Sequence, residues 1–208
     1  LEIASSQING RPVVPEVAIY FNSYLLRGNR AKKKESSQFN AFRSENYPAL
    51  AEVGVTIDFN FPFILPFRPD LPLILHEKLE EQVVILKLFP GINQQIIHNI
   101  LNTSGLRGVV LETYGAGNAP SDDWFLEELH EASKKGVVIF NVSQCDGGRV
   151  LQGHYQTSSK LKAIGISSGS DITTEAAITK MMFLLGQETE PERVKYRLEN
   201  NICGEMSF

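Results

Sequence analysis

Apolar residues dominate three short runs in the second half of the chain, Val83 to Leu88, Val109 to Leu111 and Val137 to Phe140. Each run is continuous rather than alternating, the pattern of strands in a parallel sheet covered by helices on both faces. Between the runs, apolar positions recur at i, i+3 and i+4, as Ile97, Ile100 and Leu101 and then as Phe125, Leu129 and Ala132, which predicts one helix in each gap. The gaps are long enough for the crossover that two parallel strands require. Asn93 is placed to cap the first helix through its side-chain oxygen and Ser121 or Asp122 the second, where Asp122 and Asp123 also suit the positive end of the helix dipole. Farther on, Ile178, Met181, Met182 and Leu185 form a helical face after Asp171. Thr189-Glu190-Pro191-Glu192 then reads as a capping box, with proline in the first turn of a last helix that runs toward Asn200.

The first part of the chain has a different texture. Val17 to Phe21 and Val55 to Phe59 are β-rich, a Gly- and Lys-containing loop from Arg27 to Ser37 lies between them, and Leu1, Ile3 and Ala4 read as the tail of an amphipathic helix. The most apolar stretch, Phe61 to Leu75, is broken by Pro62, Pro66, Pro69 and Pro72 and carries Arg68 and Asp70, so it reads as an extended linker rather than a membrane helix of ~20 residues. The predicted organisation is α/β throughout. Residues 1–60 are the trailing β-rich end of an N-terminal α/β domain, 61–80 a Pro-rich linker, and 81–208 a C-terminal domain with a doubly wound parallel sheet flanked by helices. In such sheets ligands gather at the carboxyl ends of the strands. Here those ends are Phe89-Pro90-Gly91, Glu112 to Asn118 and Asn141 to Cys145.

Composition narrows the chemistry. With 20 Lys+Arg against 24 Asp+Glu and a net charge of −4, the chain lacks the electrostatic footprint that draws in polyphosphate, so no nucleic-acid partner is expected. Cys145 and Cys203 lie far apart without C-x-x-C spacing, which excludes a zinc ribbon or disulfide scaffold and points to a reducing, cytoplasmic setting. The opening LEIASSQING carries neither the basic region nor the small-residue cleavage site of a signal peptide. His76, His98, His130 and His154 show no metal-ligand spacing, and no metal is expected.

Gly165-Ile166-Ser167-Ser168-Gly169 matches the nucleophile elbow G-x-S-x-G, but no histidine follows it, and it reads as a glycine-rich turn before a helix. Gly115-Ala116-Gly117-Asn118-Ala119-Pro120 begins like a dinucleotide fingerprint. Pro120 stands where the third glycine is needed, so no nicotinamide cofactor, and no cofactor of any kind, is expected. Asn118 nevertheless offers a donor and an acceptor beside a strand end, suited to a small polar ligand. The basic run Lys32, Lys33 and Lys34 sits in a loop, where a lysine could move a proton.

Longer stretches carry a family resemblance. Leu111 to Val150, LETYGAGNAPSDDWFLEELHEASKKGVVIFNVSQCDGGRV, closely resembles the type I, cytoplasmic-type L-asparaginases. So do LLRGNRAKK (Leu25 to Lys33), FPGI (Phe89 to Ile92), SDITTEAAITKMMFLLGQ (Ser170 to Gln187) and the terminal GEM (Gly204 to Met206), all in the family's order and spacing. The resemblance implies hydrolysis of the side-chain amide of L-asparagine by a homo-oligomer, a dimer or tetramer, without membrane partners. A threonine attacks, and a second threonine, an aspartate and a lysine assist the proton movements.

By that resemblance the lysine matches Lys33, flanked by Lys32 and Lys34, and Asn118 matches a loop position that reaches an active site across a subunit contact. The T-G-G-T-type and G-T-D-T-type motifs that carry the threonines do not occur. The expectation is therefore a C-terminal portion, inactive by itself; the alternative is a non-catalytic small-molecule-binding or regulatory α/β domain. Several members bind asparagine at an effector site. Here Cys145 matches its Q-C turn, Glu112 stands in place of its arginine, and Lys32 in place of its threonine. A carboxylate there would repel the ligand's own. Cys203 replaces the arginine usual before G-E-M.

Overall fold

The computed structural model describes residues 1–37, 40–151 and 156–207, and it divides into two compact units, Leu1–His76 and Glu77–Phe208. The division falls inside the proline-rich stretch.

In the first unit a short helix α1 (Glu2–Ser5) precedes the hairpin β1 (Gln7–Ile8) and β2 (Arg11–Pro12). Its turn residues Asn9 and Gly10 both have positive φ, as a two-residue hairpin turn of matching twist requires. An antiparallel sheet follows, built from β3 (Ala18–Phe21), β4 (Tyr24–Arg27), β7 (Ala51–Val53) and β8 (Ile57–Phe59) in the order β3-β4-β7-β8. A separate antiparallel pair, β5 (Lys32–Lys33) and β6 (Phe42–Arg43), sets Lys33 opposite Phe42. The two β-rich runs become β3 and β8. Strands β4 and β7 are additional, and their patterns explain why: Leu25 and Leu26 on β4 are both buried, so no alternation marks it, and β7 is only three residues long. Leu25, Leu50 and Ala51 form this unit's core, with Val14, Ala18, Tyr47, Ile57, Phe59 and Ile64 packed around them. From Ile64 to Gln82 there is neither helix nor strand.

The second unit is built on a parallel sheet of β9 (Val83–Lys87), β10 (Gly108–Thr113), β11 (Val138–Ser143) and β12 (Ser167–Ser168), in the order β12-β11-β10-β9. One face buries Leu86, Val109, Leu111 and Ile139 against α2 (Gln94–Leu101), α3 (Asp123–Lys134) and Leu161 of α4 (Gln156–Ala163). The other buries Val110, Val138, Phe140 and Val142 against α5 (Thr174–Gln187) and α6 (Pro191–Glu199). This is the parallel sheet flanked by helices that the apolar runs predict. Every residue of β10 and β11 is buried, because both faces of these two strands are covered. A Cβ at Gly108 would stand 2.4 Å from Met181 Sδ, so glycine lets α5 close onto β10.

Several helix details differ from expectation. Asn93 caps α2 as predicted, accepting from the Ile96 amide at 3.1 Å, whereas Asp122 occupies the N-cap of α3 without a side-chain cap bond. Helix α5 is capped by Thr173 and buries Ala176, Ala177, Lys180, Met181, Leu184 and Leu185. Met181 and Leu185 are shared with the predicted face, while Ile178 and Met182 are half-buried. The Thr189–Glu192 capping box does not form. Proline takes the first helical position, where its missing N–H costs nothing, which moves the N-cap to Glu190; the Glu188 carboxylate accepts from the Thr189 and Glu190 amides instead.

Candidate functional site

The carboxyl ends of β10 and β11 hold a dense set of polar groups. Thr113 donates to Asn141 Oδ1 at 2.6 Å, with both residues fully buried. Ser143 donates to the Gly115 carbonyl at 2.6 Å and accepts from the Cys145 amide at 3.1 Å. The loop between them is closed by an antiparallel bridge of Tyr114 and Asn118, whose amides each donate to the other's carbonyl at 2.8 Å. Gly117, at φ +101°, makes this possible, since a side chain there would be strained and would press on Val150. Asn118 is thus held on a short, tied loop.

Gln144 donates through Nε2 to Leu88 O at 2.6 Å and Glu112 O at 2.9 Å, so one side chain fastens the ends of β9 and β10 to the turn that carries Cys145. Cys145 itself is a free, exposed thiol. Glu112 is buried. It accepts from Thr174 Oγ1 at 2.5 Å and lies 3.3 Å from Lys87 Nζ. Glu112, Asn118 and Cys145 therefore share one end of the second unit's sheet, and Lys33 lies in the first unit, exposed on β5.

The remaining sequence candidates resolve into structure. Ser167 is buried on β12 opposite Phe140, so the G-x-S-x-G run is a sheet-edge strand and not an exposed elbow. His98 pairs with Glu128 at 3.0 Å on the surface. Burial works to raise the Glu128 carboxyl, but hydrogen bonds from Gln94 and His98 outweigh it and hold the group below the usual carboxylate range. His154 lies outside the described residues. Among the described residues no group of three or more His, Cys, Asp or Glu is placed to hold a metal, and no helix is long and apolar enough to cross a membrane.

Two clusters escaped the sequence reading. In the first unit, Arg27 makes a two-pronged ion pair with Glu16, both side chains 3% exposed, and Arg30 is buried beside it. Burial works to lower the Arg27 pKa, and the bonds to Glu16 more than offset it, so the guanidinium is raised from its ordinary value. In the second unit, Lys180 pairs with Glu205 at 2.7 Å, each 4% exposed, and also donates to Leu198 O and Asn200 O. Glu205 in turn accepts from the Ile202 and Cys203 amides, which gives the terminal G-E-M motif a structural meaning. The available signal was a charged residue set within apolar surroundings: Lys180 between Ala177 and Met181, and Arg27 after Leu25-Leu26.

A parallel sheet with a tied, asparagine-bearing loop at its carboxyl end, joined in sequence to a β-rich unit that displays a lysine on a short hairpin, defines the class as an α/β protein with its polar loops gathered at the strand ends. Comparison with known proteins makes the class specific. Residues 82–197 match the Glutaminase/Asparaginase C-terminal domain, and residues 2–64 match the Asparaginase, N-terminal family. The chain belongs to the glutaminase/asparaginase family.

It is 36% identical over 195 residues to L-asparaginase 1 of Escherichia coli (strain K12), a match that covers 93% of this chain and 57% of that protein. It is 38% identical over 201 residues to a mouse (Mus musculus) 60 kDa lysophospholipase, covering 96% of this chain and 35% of that one. The crystal structure of L-asparaginase I from Vibrio cholerae O1 biovar eltor str. N16961 matches with a TM-score of 0.88 at 34% identity, over 94% of this chain and 58% of that chain. The chain thus spans little more than half the length of the E. coli relative.

Proposed function

We propose that this chain is the C-terminal portion of an L-asparaginase that hydrolyses L-asparagine to L-aspartate and ammonia, with the nucleophilic threonine on polypeptide outside these residues. The observation that carries the reading is the pair of family matches in order on one chain, 2–64 and 82–197. In this reading the threonine oxygen bonds to the side-chain carbonyl carbon, the C–N bond breaks as ammonia leaves, and water cleaves the resulting ester. Lys33 serves the proton movements, for which its exposed place on a hairpin strand leaves the ammonium accessible.

Asn118 contributes to substrate binding from its tied loop, across a subunit contact of a cytoplasmic homo-oligomer. The working organisation is residues 1–60 as the end of the N-terminal domain, 61–80 as linker and 81–208 as the C-terminal domain. Glu112, already matched by Thr174 and Lys87, leaves no cationic fork for a ligand carboxylate, so effector binding of asparagine beside Cys145 is not expected.

The test is the formation of aspartate and ammonia from L-asparagine by this chain alone and after mixing with a separately made asparaginase N-terminal segment that carries the two threonine motifs. Turnover is expected only in the mixture. Demonstrated association without turnover would sink the reading and favour a non-catalytic binding domain.

A further inference from the structure

The segment Leu25 to Lys33 runs from buried strand positions, through a half-buried turn, to an exposed lysine. Leu25, Leu26, Arg27 and Arg30 are all buried, and Lys33 is exposed. Two guanidinium groups inside so small a unit call for a reason, because a buried ion pair returns little more stability than its desolvation costs. What a planar, forked cation does supply is fixed geometry.

The geometry is specific. The Arg27 guanidinium carbon lies 4.3 Å from the centre of the Tyr47 ring and that of Arg30 lies 4.9 Å from the same centre. Both cations thus share one aromatic ring, whose negative faces, with Glu16, offset their mutual repulsion. Arg27 Nη2 and the Tyr47 hydroxyl both donate to Phe63 O, at 2.9 Å and 3.0 Å, and Glu16 Oε1 also accepts from the Leu65 amide at 2.6 Å. Between the two arginines, the Gly28 amide donates to Val17 O at 2.9 Å, and a Cβ on Gly28 would stand 2.9 Å from that same oxygen. The turn Gly28–Arg30 is therefore pinned from three sides. Beyond it, the Lys34 amide donates to Ala41 O at 2.7 Å, and the Phe42 ring meets Phe21 edge-on at 5.4 Å, which holds the far side of the hairpin.

We propose that Arg27, Arg30 and Tyr47, with Glu16, are positioning residues: they form the frame that sets where the backbone carries Lys33. The proposal rests on the reading of Lys33 as the proton-moving lysine of an asparaginase. It assigns the R-G-N-R part of the segment to placement and the lysine to chemistry.

The test compares Tyr47→Leu, which removes the shared ring, with Tyr47→Phe, which keeps it, and with Ile57→Ala, a packing change in the same unit. On this chain alone, amide exchange at Ala31 and Lys34 is expected to quicken by about tenfold or more in Tyr47→Leu, and to stay near the parent in the other two. Mixed with the N-terminal segment, Tyr47→Leu is expected to lower kcat by roughly ten- to a hundredfold with KM nearly unchanged, and Tyr47→Phe to restore it. Should Tyr47→Leu fail to fold, Arg30→Lys, which keeps the charge and loses the plane, is expected to shift exchange and kcat the same way.

Equal behaviour of Tyr47→Leu and Ile57→Ala in both readouts would overturn the frame. Lys33→Ala separates the two ideas. If it abolishes turnover while Tyr47→Leu does not affect it, the frame alone fails; if it leaves turnover intact, the reading of Lys33 fails, and with it the purpose assigned to the frame.

Discussion

Lys180 shows what one residue can hold together. Its side chain is buried, which pushes its pKa down against the pull of Glu205, while two carbonyls and the Met206 sulfur complete the ammonium's surroundings. Removing one partner of a buried pair strands the other, so Glu205→Ala is expected to cost about 3–5 kcal/mol in urea unfolding. The same pair sets a pH dependence. Burial works to raise the Glu205 carboxyl, but its bonds to Lys180 and to the Cys203 amide prevail and hold it below its ordinary value. The unfolded chain therefore binds more protons there than the folded one. This contribution is fully present above the ordinary glutamate value of about 4.3 and is lost as pH falls through the lower folded value. Unfolding midpoints measured from pH 6 down to 3 are expected to fall more steeply in the parent than in the double variant Lys180→Met/Glu205→Leu; parallel curves would contradict this.

At the scale of elements, caps separate positions that look alike in sequence. The Asn93 side chain accepts an amide hydrogen bond and that of Asp122 does not, although each residue stands at a helix N-cap. Thermal unfolding is expected to show about 1 kcal/mol lost in Asn93→Ala. Asp122→Ala is expected to lose only the dipole contribution, about 0.5 kcal/mol. Legibility followed burial. Strands β10 and β11 were plain because helices cover both of their faces, so apolar residues run on without interruption. Strand β12 was hidden because it is two serines at a sheet edge, and β4 because both of its leucines are buried. Helix α6 has its N-cap one residue beyond Thr189, since Pro191 and Thr189 both signal a helix start and the proline's fixed geometry decides it.

For the whole molecule, periodicity made the α/β fold legible, and the motifs spread from Leu25 to Met206 made the family legible. The placement of Asn118 beside a strand end was legible because strand ends follow from the runs. The surroundings of Lys33 were not, because the frame around it depends on Glu16, Tyr47 and Phe63, which are distant in sequence and carry no local pattern. Glu112 was expected to repel a ligand carboxylate; in the fold it is already engaged by Thr174 and Lys87, which makes it part of the scaffold at the strand ends. Whether Lys33 moves the protons of an asparaginase is decided by ammonia release from L-asparagine in the mixture with the threonine-bearing segment, parent against Lys33→Ala. A loss of about a hundredfold or more in kcat is expected, with association intact. Turnover in Lys33→Ala equal to the parent would contradict that role.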